Sequence, residues 1–187
     1  MPAIGVKQGF WRGRRVFVTG HTGFIGGWLC LWLQRLGAQV VGYSLKPPSE
    51  PNFFECAGIA GGMTSKIADV TDLAALSQAI AEAEPEIVFH LAAQPLVRRS
   101  YGQPIETFDV NVMGTARLLE ACRDMPDLKA AVVITTDKVY DDPDSGRAFV
   151  ESDPLGGAEP YGYSKAAAEM VAGAWRQAFL AEHGVDA

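Results

Sequence analysis

The sequence predicts an α/β domain: a doubly wound parallel sheet with helices on both faces. Three observations lead there. Short β-branched and aromatic runs alternate with longer amphipathic segments, as in successive βαβ units. The strand runs are apolar at consecutive positions, as strands buried on both sides are. The first of them feeds straight into glycines. A chain of 187 residues, 48% of them hydrophobic, can bury one substantial core, so a single domain over 1–187 is expected.

The first strand is expected over Arg15–Thr19, with Val16, Phe17 and Val18 in succession. A helix follows, because Phe24, Ile25, Trp28, Leu29, Trp32 and Leu36 recur at helical spacing and Gly37 stands where a left-handed C-cap belongs. Residues 40–43 read as the second strand, and 46–62 as a long Pro/Gly-rich connection with little periodicity. A third strand near 65–68 leads to Thr71 and Asp72 as helix caps, with Leu73, Leu76 and Ile80 on one stripe. Residues 87–91 form the fourth strand, 111–123 a helix and 131–135 the fifth strand. An Ala-rich helix over 160–182 starts on proline. Val185, Asp186 and Ala187 stand where a sixth strand would begin, which leads us to expect a longer parent protein.

Composition excludes several classes. The net charge of −6, without a Lys/Arg stripe, argues against nucleic acid as a partner, since neutralising phosphates needs clustered cations. The opening residues carry no leader pattern and no stretch stays apolar for about 18 residues, so no membrane association and a cytoplasmic location are expected. Cys30, Cys56 and Cys122 lack metal-ligand spacing and read as reduced thiols; no metal is expected.

Gly20, Gly23 and Gly26 form GxxGxxG between the first strand and the first helix. There, glycine permits a tight turn and close backbone approach to a pyrophosphate, and the helix N-terminus supplies amide donors and a favourable dipole. This is the Rossmann arrangement for a nicotinamide dinucleotide, and Thr22 can add a hydroxyl. The carboxylate that would hold the adenosine ribose at the end of the second strand is missing, and Ser44 stands there instead. With Ser44 for a ribose hydroxyl and Lys46 for a 2′-phosphate, NAD and NADP both stay open. Asp69 can accept from the adenine amino group with Val70 over the ring, or serve only as a helix-terminal charge.

Tyr161 and Lys165 form YxxxK at the start of the long helix, which puts both side chains on one face. An ammonium beside a phenol favours the phenolate and makes the phenol a base. Thr135, Thr136, Asp137 and Lys138 close the fifth strand, and parallel sheets bind ligands beyond the carboxyl ends of their strands. Turn-making is the alternative role for Thr136 and Asp137. His90 sits inside an apolar run and reads as a hydrogen-bonded core residue. Arg98 and Arg99 are either phosphate ligands or solvated loop residues.

At VTGHTGFIGGWL from Val18, VGYSLKPP from Val41, FHLAAQPLVRRSY from Phe89, NVMGT from Asn111, TTDKVY from Thr135, and ESDPLGG with YGYSK from Glu151, the sequence resembles the extended short-chain dehydrogenase/reductase family. Within it, the similarity points to the subgroup of CDP-glucose 4,6-dehydratases, with departures at Ile25 and Val139. The resemblance implies NAD over Gly20, Thr22, Gly23, Phe24, Ile25 and Gly26, lined further by Ser44, Asp69, Val70, Leu91, Ala92, Ala93, Thr135, Tyr161 and Lys165. It implies a lyase reaction on a nucleotide sugar, in deoxysugar synthesis. The sugar is oxidised at C4 with Tyr161 taking the proton, water is eliminated across C5 and C6, and hydride returns to C6. Thr136 assists, Asp137 maps to the acid that protonates the leaving hydroxyl, and Lys138 replaces a carboxylate base. An amine there acts as a base only if desolvated or placed beside positive charge; otherwise it stabilises the enolate.

The resemblance also implies a homodimer through helices around 111–123 and 166–174. The domain that holds most of the sugar nucleotide is expected beyond this chain, leaving these residues inactive on their own. The competing readings are an epimerase or reductase of the same family, which has no use for Asp137 and Lys138, and a dinucleotide-sensing module without catalysis.

Overall fold

The computed structural model describes residues 9–141, 146–181, 184 and 185. Five strands, β1 (Arg15–Thr19), β2 (Gln39–Ser44), β3 (Thr64–Ile67), β4 (Ile87–His90) and β5 (Ala130–Val133), form one sheet in the order β3-β2-β1-β4-β5. Every pairing is parallel. The order reverses at β1, which pairs with β2 on one side and β4 on the other. Such a switch point opens a crevice at the carboxyl ends of the strands.

Alternation along β1 sends side chains to both faces. Phe17 joins Tyr43, Leu76, Ile80, Val88, Leu118 and Leu119 in one buried cluster, under α3 (Leu73–Ala83) and α6 (Gly114–Cys122). Val16 and Val18 join Cys30, Leu33, Val40, Phe54 and Ile59 in the other, under α1 (Phe24–Arg35) and α2 (Phe53–Cys56). The sheet is therefore covered on both faces, as expected. Cys30 and Cys122 are buried free thiols pushed up to about 12 by burial, and Cys56 is exposed and free.

Several element boundaries differ from expectation. The connection after β2 carries α2 and a 3₁₀ turn at Ile59–Gly62. Asn52 caps α2 by accepting from the Glu55 amide at 2.9 Å, while its own amide group donates to the Glu55 carboxylate at 2.8 Å. Burial of Phe54 and a 4.5 Å stack of Phe53 on Trp28 then hold the short helix to α1. Between β4 and α6 the chain forms α4 (Val97–Gly102) and α5 (Pro104–Phe108), and a π turn at Asp109–Met113 joins α5 to α6. The last helix, α7, covers Pro160–Trp175 and continues as a π turn over Arg176–Leu180. Glu182, expected at its end, lies outside the described residues, as do residues 1–8 of the opening segment. Val185 is buried without joining a strand, and Asp186 and Ala187 also fall outside the described residues. Among the described residues no helix is long and apolar enough to cross a membrane, and no group of His, Cys, Asp or Glu could hold a metal.

Leu119 is fully buried between α6 and the sheet, so Leu119→Ala should lower stability by about 2–5 kcal/mol through lost burial and an unfilled cavity. Urea denaturation of the intact protein checks this as a lowered midpoint at unchanged slope.

Candidate active site

The chain leaves β1 at Gly20 with φ of 73°, donating its amide to the Tyr43 carbonyl at 2.9 Å. A Cβ at Gly20 would lie 2.7 Å from the Ala92 nitrogen and the Leu91 carbonyl carbon, and one at Gly26 would lie 2.1 Å from the Gly20 oxygen. Both glycines are thus required by backbone contact before any ligand is considered. Gly23 caps α1 in an extended conformation without a side-chain cap, and its carbonyl accepts from Gly27 at 2.8 Å. The amides of the first turn have no acceptor within the helix, and Phe24 and Ile25 in that turn are exposed.

The expected adenosine end is built differently from a ribose-binding carboxylate. The Thr22 hydroxyl donates to the Leu45 carbonyl at 2.8 Å and receives the Ser44 hydroxyl at 2.9 Å, so this pair ties the glycine loop to the end of β2. Lys46 is exposed. Asp69 folds its carboxylate onto the Thr71 amide at 2.9 Å, and its carbonyl accepts the Tyr43 hydroxyl at 3.0 Å. Val70 is buried against Gly114, where a Cβ would meet it at 3.2 Å. His21 is fully buried on Gly42 with its Nε2 2.7 Å from the Ser65 hydroxyl. Burial pushes its ring down to about 4, against a smaller upward pull from the Tyr43 carbonyl.

At the exit of β5 the residues expected to do chemistry come together. Thr136 caps a 3₁₀ turn at Asp137–Val139, accepting from the Lys138 amide at 3.4 Å while its hydroxyl donates to the Asp137 carboxylate at 3.1 Å. The Tyr161 phenol is buried at the first turn of α7, near Thr136. Its pKa stands above the usual value because burial, then Glu159 and Asp137, outweigh the opposing effect of Thr136. One turn on, the Lys165 ammonium donates to the Ile134 carbonyl at 3.0 Å, and burial pulls it down to about 8. The Thr135 hydroxyl is given at 2.6 Å to Glu169, a further turn along the same helix. Asp137 and Lys138 themselves are exposed.

Two devices fix this end of α7. The Glu159 carboxylate caps the helix, accepting from the Tyr161 amide at 2.6 Å and the Gly162 amide at 3.0 Å, and it also touches the Ser100 hydroxyl of α4 at 3.2 Å. A Cβ at Gly162 would lie 2.7 Å from the Lys138 carbonyl, so the helix start rests directly on the 3₁₀ turn. Sequence reasoning passed over Glu159, although its place immediately before Pro160 is a capping signal. It also passed over Gln94 and Ser164, whose partners are far away in the chain. The Gln94 side chain closes its own loop on Leu96 and Thr107. Arg99 is engaged with Glu106 at 2.7 Å and Gln103 at 2.6 Å, and Arg98 is exposed.

The profile of the NAD dependent epimerase/dehydratase family matches residues 16–182. The CDP-glucose 4,6-dehydratase of Salmonella typhimurium strain LT2 is 50% identical over 185 residues, covering 96% of this chain and 52% of that protein. Among solved structures, MoeE5 in complex with UDP-glucose and NAD is similar at a TM-score of 0.71 and 34% identity, over 86% of this chain and 48% of that one. The UDP-glucose 4-epimerase of Thermus thermophilus, in complex with NAD, is similar at a TM-score of 0.78 and 31% identity, over 88% of this chain and 51% of that one. The chain spans about half the length of the curated relatives it matches.

Two outcomes follow from this geometry. Gly26→Ala should unseat the turn between β1 and α1 and lower the melting temperature, since neither backbone can yield. His21 and His90 are held neutral in the fold, at about 4 and about 3 against an ordinary 6.5, so below pH 6.5 the unfolded chain binds the extra protons. Stability should therefore fall as pH drops from 6.5 toward 4, by about 1.4 kcal/mol per pH unit for each histidine. Urea titrations across that range read the slope.

Proposed function

The chain belongs to the NAD dependent epimerase/dehydratase family, an extended short-chain dehydrogenase/reductase group, and from that premise we propose that it is the dinucleotide-binding part of a cytoplasmic, homodimeric nucleotide-sugar 4,6-dehydratase acting on CDP-glucose. The observation that carries this reading is the set Asp137, Thr136 and Tyr161 at the carboxyl end of the sheet, an acid held by the Thr136 hydroxyl with a buried phenol beside them. An epimerase needs Tyr161, Lys165 and Thr136 but has no step for the acid. The 50% identity to a CDP-glucose 4,6-dehydratase over nearly the whole chain supports the same choice.

The cradle suits a dinucleotide: no Cβ fits at Gly20 or Gly26, and the first-turn amides of α1 lie beside the switch point. Gly20, Gly23 and Gly26 would hold the pyrophosphate, while Asp69, Val70, Leu91, Ala92 and Ala93 would line the path to Tyr161 and Lys165. NAD, when bound, supplies the hydride acceptor and donor of the internal redox cycle. Tyr161 takes the C4 hydroxyl proton, and the Thr136 hydroxyl near the phenol would hold the sugar hydroxyl beside it. Lys165 keeps positive charge beneath the site. The C4 ketone acidifies the C5 hydrogen, whose proton passes to solvent at this exposed turn; Asp137 protonates the C6 hydroxyl as it departs as water, and C5 takes a proton back as hydride returns to C6. Lys138, exposed on the turn, stabilises the enolate electrostatically.

For the dimer, the supporting feature is an apolar face on α4, α5 and α7. Tyr101, Ile105, Phe108, Tyr163 and Met170 are all exposed there.

The intact reading frame, incubated with NAD⁺ and separately with CDP-, dTDP-, GDP- and UDP-glucose or mannose, should remove one water from CDP-glucose alone, read by mass spectrometry. Water loss from none would leave the epimerase or sensing readings. Asp137→Asn should cut elimination by about 10²-fold while reduced-nicotinamide absorbance still appears in the first half-reaction.

A further inference from the structure

His90 closes β4 with 2% exposure, set between the last residue of β1 and the first turns of α6. Its Nδ1 lies 2.7 Å from the Thr19 hydroxyl and its Nε2 lies 3.2 Å from the Thr115 hydroxyl. Counting donors assigns the protons. Thr115 gives its own hydrogen to the Asn111 carbonyl at 2.7 Å, so towards the ring it can only accept. Thr19 accepts the Leu91 and Ala92 amides, both at 3.1 Å, which fills its lone pairs and leaves it to donate. The ring is therefore neutral, with the proton on Nε2 and Nδ1 accepting. An imidazolium would set an N–H against a hydroxyl with no lone pair to offer, and the Lys165 ammonium, the charge that acts on the ring, opposes it as well.

This tautomer gives a directed chain of bonds. Leu91 and Ala92 amides donate to Thr19, Thr19 to His90, His90 to Thr115, and Thr115 to the Asn111 backbone. From Asn111 the side-chain amide continues to the Ser164 hydroxyl at 2.9 Å, which donates to the Tyr161 carbonyl at 2.7 Å. One end is the residue before Gly20 and the backbone that Gly20 abuts; the other is the turn of α7 that carries Tyr161 and Lys165. Thr19, His90, Thr115, Asn111 and Ser164 are all buried, so no water substitutes for a missing member.

We propose that His90, as a single fixed tautomer, is a positioning residue that couples the glycine loop to the catalytic helix. The inference rests on the dinucleotide-binding reading above. Its two ring nitrogens then serve different ends of the site, and two isosteric substitutions separate them. Asparagine places an acceptor near Nδ1 and keeps the Thr19 side; glutamine places a donor near Nε2 and keeps the Thr115 side.

In the intact protein, His90→Asn should bind NAD⁺ within about twofold of wild type but lose about tenfold in kcat. His90→Gln should weaken NAD⁺ about tenfold while kcat at saturating NAD⁺ stays within about threefold. Calorimetry and the dehydration assay read the two constants. Equal losses of both constants in both variants would mean a structural role alone and overturn the proposal. Nitrogen-15 correlation spectra of the wild-type histidines are independent of both variants folding. They should show His90 protonated on Nε2 and not titrating from about pH 5 to pH 8. A proton on Nδ1, or an imidazolium in that range, also overturns it. A protein that binds NAD⁺ but dehydrates no sugar sinks the dehydratase reading and leaves the spectra and NAD⁺ affinities to decide this one.

Discussion

A side chain on Gly26 would put its Cβ 2.1 Å from the Gly20 carbonyl oxygen, and one on Gly20 would meet the backbone of Leu91 and Ala92 at 2.7 Å. Three stretches of bare main chain, the end of β1, the start of α1 and the exit of β4, thus share one small volume. That contact sets how α1 leaves the sheet, hence which face Cys30 and Leu33 bury against Val16, Val18 and Val40. It also places the first-turn amides of α1 beside the point where the strand order reverses. Fold and ligand cradle are here the same constraint, because a loop that can close this tightly offers little except N–H groups to whatever lies above it.

The opposite face of the sheet meets α6 and α7 through a layer that is polar where the site lies. Thr19, His90, Gln94, Thr115, Asn111 and Ser164 are buried there among Phe17, Val88, Leu118 and Leu119. Buried polar groups are tolerated when paired, and unpaired ones cost about 1–3 kcal/mol each. A fully paired layer of this kind specifies one arrangement of β4, the π turn at Asp109–Met113 and α7, since a shifted helix would strand several groups at once. The wide turn at Asp109–Met113 brings Asn111 inward to bond Gln94 on one side and Ser164 on the other. The position of Tyr161 is thereby transmitted from the strand ends rather than set by its own helix alone.

At the exit of β5, α7 starts against the 3₁₀ turn of Asp137–Val139, with Gly162 on the Lys138 carbonyl and Glu159 capping the helix. Burial raises the Tyr161 phenol, and the carboxylate that caps this N-terminus and favours the helix adds to the rise. The Lys165 ammonium, lowered by burial, is held by the Ile134 carbonyl one turn further on.

Much of this was legible in the chain. Consecutive apolar residues at Val16, Phe17 and Val18, the glycines at 20, 23 and 26, and Tyr161 four residues before Lys165 are local patterns made readable by their placement at the ends of strands and the starts of helices. Asp72 as a cap and Gly37 as a left-handed terminus were equally readable. The short helices α2, α4 and α5 were not, because helices of four to six residues are held by docking onto α1 and α7, not by their own periodicity. Nor were the duties of Thr22, which secures the loop to β2, or of His90, Asn111 and Glu159. By itself the sequence determined the fold class, the cradle and the candidate chemistry, since those rest on spacing within a strand or helix. Only the tertiary structure decided the proton on His90, the partners of Thr19 and the environment of Tyr161, because these depend on groups 17 to 73 residues apart brought within hydrogen-bond distance by burial.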